Sequence, residues 1–295
     1  MCAAMARAVS SNSKHMSPGS TGSSLTEAGA AAEPSAAASP LFQLEGVSFD
    51  IAERRVLDGL TVELGPAHVF ALVGPNGSGK STLLRLLARQ ELPSSGHIQY
   101  RGRSIAAIDR REFARSVAFL PQFPPPADAM TVRELVALGR FPWHGALGRF
   151  TDRDAGKVED ALRRTDLMRL ADRIVDTLSG GERQRAWLAM MLAQDTSCLL
   201  LDEPTSALDV AHQVEILALI RELSRERRMG VVVVLHDINL AARYCDDILA
   251  LKDGQFIAYG KAAEVVTGAV LEEIYGVAMG VVENPSTGLP MCYVR

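Results

Sequence analysis

The chain has few cysteines, few aromatic residues and no long apolar run. Its four cysteines, Cys2, Cys198, Cys245 and Cys292, are scattered without a C-x-x-C pair. That leaves no cysteine metal motif and fits a reducing compartment. No apolar stretch approaches the roughly eighteen residues needed to cross a bilayer. The longest, Val231–Leu235, is of strand length, so any pore this chain serves must come from another chain. A net charge of −4 provides no broad basic face, which argues against nucleic acid as a partner. No internal repeat is visible. What is present is an ordinary globular balance, 47% hydrophobic and 22% charged over 295 residues, enough for one large domain or two small ones.

The composition shifts near Leu41. Residues 1–40 are rich in Ala, Ser, Gly and Pro and have too few large apolar side chains to offset the entropy of ordering. A disordered tail is expected there, and with no apolar core after Arg7 it does not read as a secretory signal. Beyond it, Phe42–Phe49 and Val56–Leu64 alternate with a period near two, as antiparallel strands do. Short apolar strands are predicted at Val69–Val73, Gly96–Tyr100, Val117–Pro121, Cys198–Asp202 and Val231–Leu235, with a hairpin turning at Asp253-Gly254. Helices are predicted from Ser81, through Asp152–Leu170, from Glu182 to Gln194 behind a cap at Ser179, and over Val210–Arg227. Thr131-Val-Arg-Glu134 has the form of a capping box. The alternation implies an α/β domain with a largely parallel sheet, interrupted by a helical insertion near 125–194.

The chemistry starts in one octet. Gly74-Pro-Asn-Gly-Ser-Gly-Lys-Ser81 fits the phosphate-loop pattern between a strand and a helix. Gly74, Gly77 and Gly79 permit the twists that turn successive N–H groups inward, together with Pro75, Asn76, Ser78 and Thr82 around them. Lys80 supplies a charge for the β- and γ-phosphates of a nucleotide, and Ser81 a hydroxyl for Mg²⁺. The N-terminal dipole of the following helix adds attraction for an anion.

Four further segments follow in order: Gln122, Leu178-Ser-Gly-Gly-Glu-Arg-Gln184, Cys198-Leu-Leu-Leu-Asp-Glu203 with Ser206-Ala-Leu-Asp209, and His236. With the phosphate loop, this set resembles the ATP-binding cassette of an ABC transporter over about residues 41–260. The resemblance implies a P-loop NTPase (RecA-like) core with an antiparallel β subdomain and an inserted α-helical subdomain. It implies ATP and Mg²⁺ as cofactors, Asp202 with Ser81 and Gln122 at the metal, and Glu203 as general base beside His236 and Gln122. It also implies a homodimer of cassettes packed head to tail. Ser179, Gly180, Gly181 and Asp209 would then contact the ATP held by the partner copy. An aromatic in the first hairpin is expected on the adenine, and Phe49 is the candidate.

Other stretches narrow the resemblance. Asp209-Val-Ala-His-Gln213, Gly139–Phe150, His236–Cys245 and Glu273–Gly276 look like the importers of iron–siderophore, haem and cobalamin, nearest to the ferric-hydroxamate branch. This implies a peripheral subunit on the cytoplasmic face of the inner membrane. It would work with an integral membrane permease and, through it, an external substrate-binding protein. Pro124–Pro126 and Trp143-His144 are the expected docking surface for the permease. The domain is expected over 41–280, with 281–295 as a C-terminal tail.

Overall fold

Five strands of this chain are apolar on both faces, and the architecture follows from covering both. The computed structural model describes residues 39–145, 148–206 and 208–295, so the expected tail lies almost wholly outside the described residues. The chain opens with β1 (Phe42–Ile51), β2 (Arg54–Leu64), β3 (Val69–Val73), α1 (Lys80–Leu87), β4 (Ser95–Tyr100) and β5 (Arg103–Ser104). Next come α2 (Arg110–Ala114), β6 (Val117–Leu120), and the helices α3 (Val132–Leu138), α4 (Phe141–His144), α5 (Asp152–Arg164) and α6 (Gly180–Ala193). The core resumes with β7 (Cys198–Leu201), α7 (Val210–Arg227), β8 (Gly230–Val234), α8 (Ile238–Tyr244), β9 (Asp247–Lys252) and β10 (Gln255–Gly260). It ends with α9 (Ala262–Val265), α10 (Gly268–Tyr275), β11 (Met279–Glu283) and β12 (Pro290–Val294).

The central sheet runs β10-β9-β3-β8-β7-β6 and is parallel except for β10. Successive side chains of a strand point to opposite faces. Val69, Ala71 and Val73 of β3 therefore enter one core, with α6, α7 and α8, while Phe70 and Leu72 enter another. That second core is closed by α1 and by an antiparallel sheet ordered β2-β1-β4-β5. Leu83, Leu84, Leu86 and Leu87 of α1 are all buried. At roughly 1.5–3 kcal/mol per buried leucine, packing rather than propensity holds this short helix in place.

The helical insertion has its own staple. Arg140, buried between α3 and α4, donates to Asp154 Oδ1 at 2.9 Å and to the Ala193 carbonyl at 2.7 Å. Burial opposes ionisation of Asp154, but hydrogen bonds from Thr151 and Arg140 outweigh it and bring its pKa down to about 2. Arg140 thereby ties α5 to the C-terminal end of α6.

Two expectations differ from the structure. The helix predicted through Leu170 stops at Arg164, because Asp166 adopts φ 54°; a single 3₁₀ turn, Met168–Leu170, follows. Residues 281–295, expected as a tail, contain most of the antiparallel β11–β12 hairpin. The hairpin lies against α8, where Cys292 N–H donates to Asn239 Oδ1 at 2.8 Å and Asn239 Nδ2 donates to the Cys292 carbonyl at 3.1 Å.

Candidate functional site

The parallel strands end level with one another. Leu72 pairs with Val234, Val233 with Leu201, and Leu201 with Leu120. Gly74, His236, Asp202 and Gln122 all follow these strand ends, so four sequence segments emerge along one edge of the sheet. The carboxyl edge of a parallel sheet is where open α/β folds bind ligands.

At that edge the phosphate loop curls into α1. A Cβ on Gly74 (φ 144°) would stand 1.9 Å from the Leu251 carbonyl oxygen, and one on Gly79 (φ 104°) 2.5 Å from Leu57 Cδ2. Only glycine fits at either position. Gly79 caps α1 with no side-chain hydrogen bond, so the helix presents its first N–H groups bare. Lys80 is buried and donates from Nζ to the carbonyls of Gly74 at 2.9 Å and Pro75 at 2.8 Å. Burial pushes its pKa down, against the pull of the Glu203 and Asp202 charges. Ser78 Oγ is buried with no hydrogen-bond partner among the described residues.

The carboxylates face this loop. Ser81 Oγ donates to Asp202 Oδ1 at 3.0 Å. Burial raises the Asp202 pKa, as does the charge of Glu203, while the Ser81 bond opposes them. Glu203 is held on both oxygens: Gln122 Nε2 donates to Oε2, and His236 Nε2 stands 2.7 Å from Oε1. Its backbone takes φ 50°, a conformation that costs a non-glycine residue and is kept only where the surroundings enforce it. A carboxylate fixed in this way can accept a proton from water without first reorganising.

A cavity of about 250 Å³ lies over the loop, bounded by Asn76, Lys80, Ser81 and Glu203 and, on its far side, by Arg54 and Val56. The hairpin thus reaches the cavity, but not through the expected residue. Phe49 pairs with Leu57 and packs half-buried against the core of the antiparallel sheet. Arg54 and Val56 carry no sequence signal beyond their place just past the hairpin turn.

The second glycine-rich turn stands elsewhere. Ser179 caps α6 in a closed capping box: Glu182 N–H donates to Ser179 Oγ at 3.3 Å, and Ser179 N–H donates to Glu182 Oε2 at 2.8 Å. Hydrogen bonds from the Ser179 backbone and hydroxyl lower the Glu182 pKa. Ser179 and Gly180 are exposed and Gly181 is buried. Gly180 borders a separate cavity of about 390 Å³ with Gln122, Pro124–Pro126 and Trp187, and Glu203 forms the wall between the two cavities. Asp209 caps α7, accepting from His212 N–H at 2.9 Å. Trp143 does not join the Pro124–Pro126 cavity. Its indole N–H donates to the Gln194 carbonyl at 2.7 Å, and the guanidinium groups of Arg115 and Arg140 stack about it at 5.0 and 4.9 Å.

Comparison with known proteins follows the same pattern. Residues 57–206 match the ABC transporter family. The chain is 42% identical over 247 residues to the ferric enterobactin transport ATP-binding protein FepC of Escherichia coli (strain K12), covering 84% of this chain and 91% of that one. It is 39% identical over 248 residues to the iron(3+)-hydroxamate import ATP-binding protein FhuC of Bacillus subtilis (strain 168), covering 84% and 92%. Among solved structures it resembles the ATP-binding cassette MJ0796, a dimer in a post-hydrolysis state bound to ADP and Pi, with a TM-score of 0.66 and 28% identity over 75% of this chain and 98% of that one.

Proposed function

The chain belongs to the ABC transporter family of ATP-binding transport ATPases, and on that premise we propose that it powers import of a ferric hydroxamate siderophore through a partner membrane permease. The observation that carries the ATPase chemistry is Glu203, clamped by Gln122 and His236 at the mouth of the phosphate loop. ATP lays its phosphates on the bare N–H groups of the first turn of α1 and on the backbone of the loop before it. Lys80 exchanges the Gly74 and Pro75 carbonyls for β- and γ-phosphate oxygens. Glu203 takes a proton from the attacking water as the water oxygen bonds to the γ-phosphorus and the bond to ADP breaks. His236 and Gln122 hold Glu203 in line.

Ser81, Asp202 and the side-chain carbonyl oxygen of Gln122 are hard oxygen donors of the kind that suits Mg²⁺, an ion that keeps few protein ligands and fills the rest with phosphate and water. When bound, Mg²⁺ would neutralise phosphate charge.

The Ser179–Gly181 turn and Asp209 lie outside their own loop cavity. In this reading they close over the ATP of a second copy, packed head to tail, and nucleotide joins the two copies until it is split. The dimeric state of MJ0796 with ADP and Pi supports this arrangement. The permease docks on the cytoplasmic face of the inner membrane, with the Pro124–Pro126 cavity as its contact, and receives cargo from an external binding protein. No described helix is long and apolar enough to cross a membrane.

The hydroxamate assignment is supported by the Gly139–Phe150 and His236–Cys245 stretches and by the likeness to FhuC. The test is uptake of labelled ferrichrome, ferric enterobactin and haemin in cells whose only copy carries Lys80→Ala. Loss of ferrichrome uptake alone is the expected result. Selective loss of another cargo would reassign the substrate class.

A further inference from the structure

His212 makes two contacts that neither of the helices it touches requires. The cap of α7 is complete once Asp209 Oδ1 accepts the His212 backbone N–H at 2.9 Å. The same oxygen also meets the imidazole Nδ1 at 2.7 Å, which fixes the ring. The other edge of that ring presses on α6. A Cβ on Gly181 would lie 2.4 Å from His212 Cδ2 and 3.1 Å from Nε2, so the imidazole fills the space that a side chain at position 181 would need. Gly181 has no left-handed backbone; a side chain at that position would have to displace the imidazole. Farther along the same two helices, Arg185 and Glu215 form an ion pair at 3.3 Å. Those side chains are partly exposed and contribute little on their own.

α6 carries the Ser179–Gly181 turn and belongs to the helical insertion. α7 is capped by Asp209, six positions after Glu203 in the sequence. One imidazole therefore joins the two elements assigned to the partner's nucleotide.

We infer that His212 is a positioning residue that holds Asp209 and the Ser179–Gly181 turn in one frame, so that both reach the ATP of the second copy together. This rests on the head-to-tail reading above. Without the ring the two elements seat independently, and each pays its own ordering cost at closure.

The test uses the full chain in a Glu203→Gln background, titrated with Mg·ATP, with dimer formation read by size exclusion with light scattering. Binding of a fluorescent ATP analogue to the dilute monomer is measured in parallel. His212→Ala is expected to raise the ATP concentration for half-maximal dimer by about ten-fold, the scale of one hydrogen bond to a charged group, with monomer affinity unchanged. His212→Asn, which returns an N–H donor near the position of Nδ1, is expected to bring the threshold back toward the parent. Equal thresholds for His212→Ala and its parent overturn the inference. So does a parallel loss of monomer binding, or an asparagine variant no better than alanine. If the Glu203→Gln parent itself never dimerises with ATP, the head-to-tail reading falls and takes this inference with it.

Discussion

At α1 the capping residue is Gly79, with no side chain to bond the first turn; at α6 it is Ser179, whose hydroxyl and backbone exchange hydrogen bonds with Glu182. Both helix starts are glycine-rich, and sequence alone gives both an affinity for phosphate. In the structure the first is bare, buried under Lys80 and faced by two carboxylates. The second has its Ser179 and Glu182 donors paired in the box, and Ser179 and Gly180 are exposed. A helix end that leaves its donors unpaired is prepared to bind within its own subunit. One whose capping box pairs two donors holds its turn in shape for a ligand brought by another molecule. The comparison thus separates the subunit's own nucleotide contact from the contact it offers a partner.

The largest effect should come from the carboxylate beside the bare end. Glu203→Gln should lower ATP turnover by about 10²–10⁴-fold while leaving nucleotide binding intact. An undiminished rate in a phosphate-release assay would remove Glu203 from the chemistry. Next is the cap itself. Gly79→Ala places a Cβ 2.5 Å from Leu57 Cδ2 at φ 104°, and strain on the order of 1–3 kcal/mol should weaken monomer ATP binding ten-fold or more in a fluorescence titration. Ser179→Ala, by contrast, should leave monomer ATP affinity where it was and cost about 1 kcal/mol of stability, read from the urea midpoint. Were it to abolish monomer binding, the two ends would not be distinct in function.

The smallest effect concerns acid. The Glu182 pKa is lowered by the hydrogen bonds of the box, so its contribution is present above the ordinary value of 4.5 and is lost as pH falls through the depressed value. Asp202 has the opposite sign: burial raises its pKa, so acid relieves a cost there. Melting curves from pH 6 to 3 should show an acid-labile component in the parent that Glu182→Gln lacks. If the two profiles coincide, the capping box does not stabilise α6.

Much of this was legible in the sequence, for physical reasons. Runs such as Val69–Val73 can only be strands covered on both faces, and Asp253-Gly254 can hardly be other than a turn. Ser179 and Glu182 stand at the spacing that closes a capping box, and the box is closed. The failures concern contacts that local pattern does not encode. The strand register pairs Phe49 with Leu57 and sets Arg54 and Val56 at the cavity over the phosphate loop. The broken helix after Arg164 turns on one left-handed residue, Asp166, that no periodicity announces. The space beside Gly181 is filled by a histidine thirty-one positions later. The β11–β12 hairpin shows little alternation of its own and gains its order from α8.

That hairpin is fastened through Asn239, which grips the amide and carbonyl of position 292 rather than its thiol. The grip is indifferent to which side chain sits there. A survey of single substitutions along this strand would find tolerance almost everywhere and would miss how much depends on it. Shortening the strand instead would withdraw the support behind α8, which begins two residues downstream of His236.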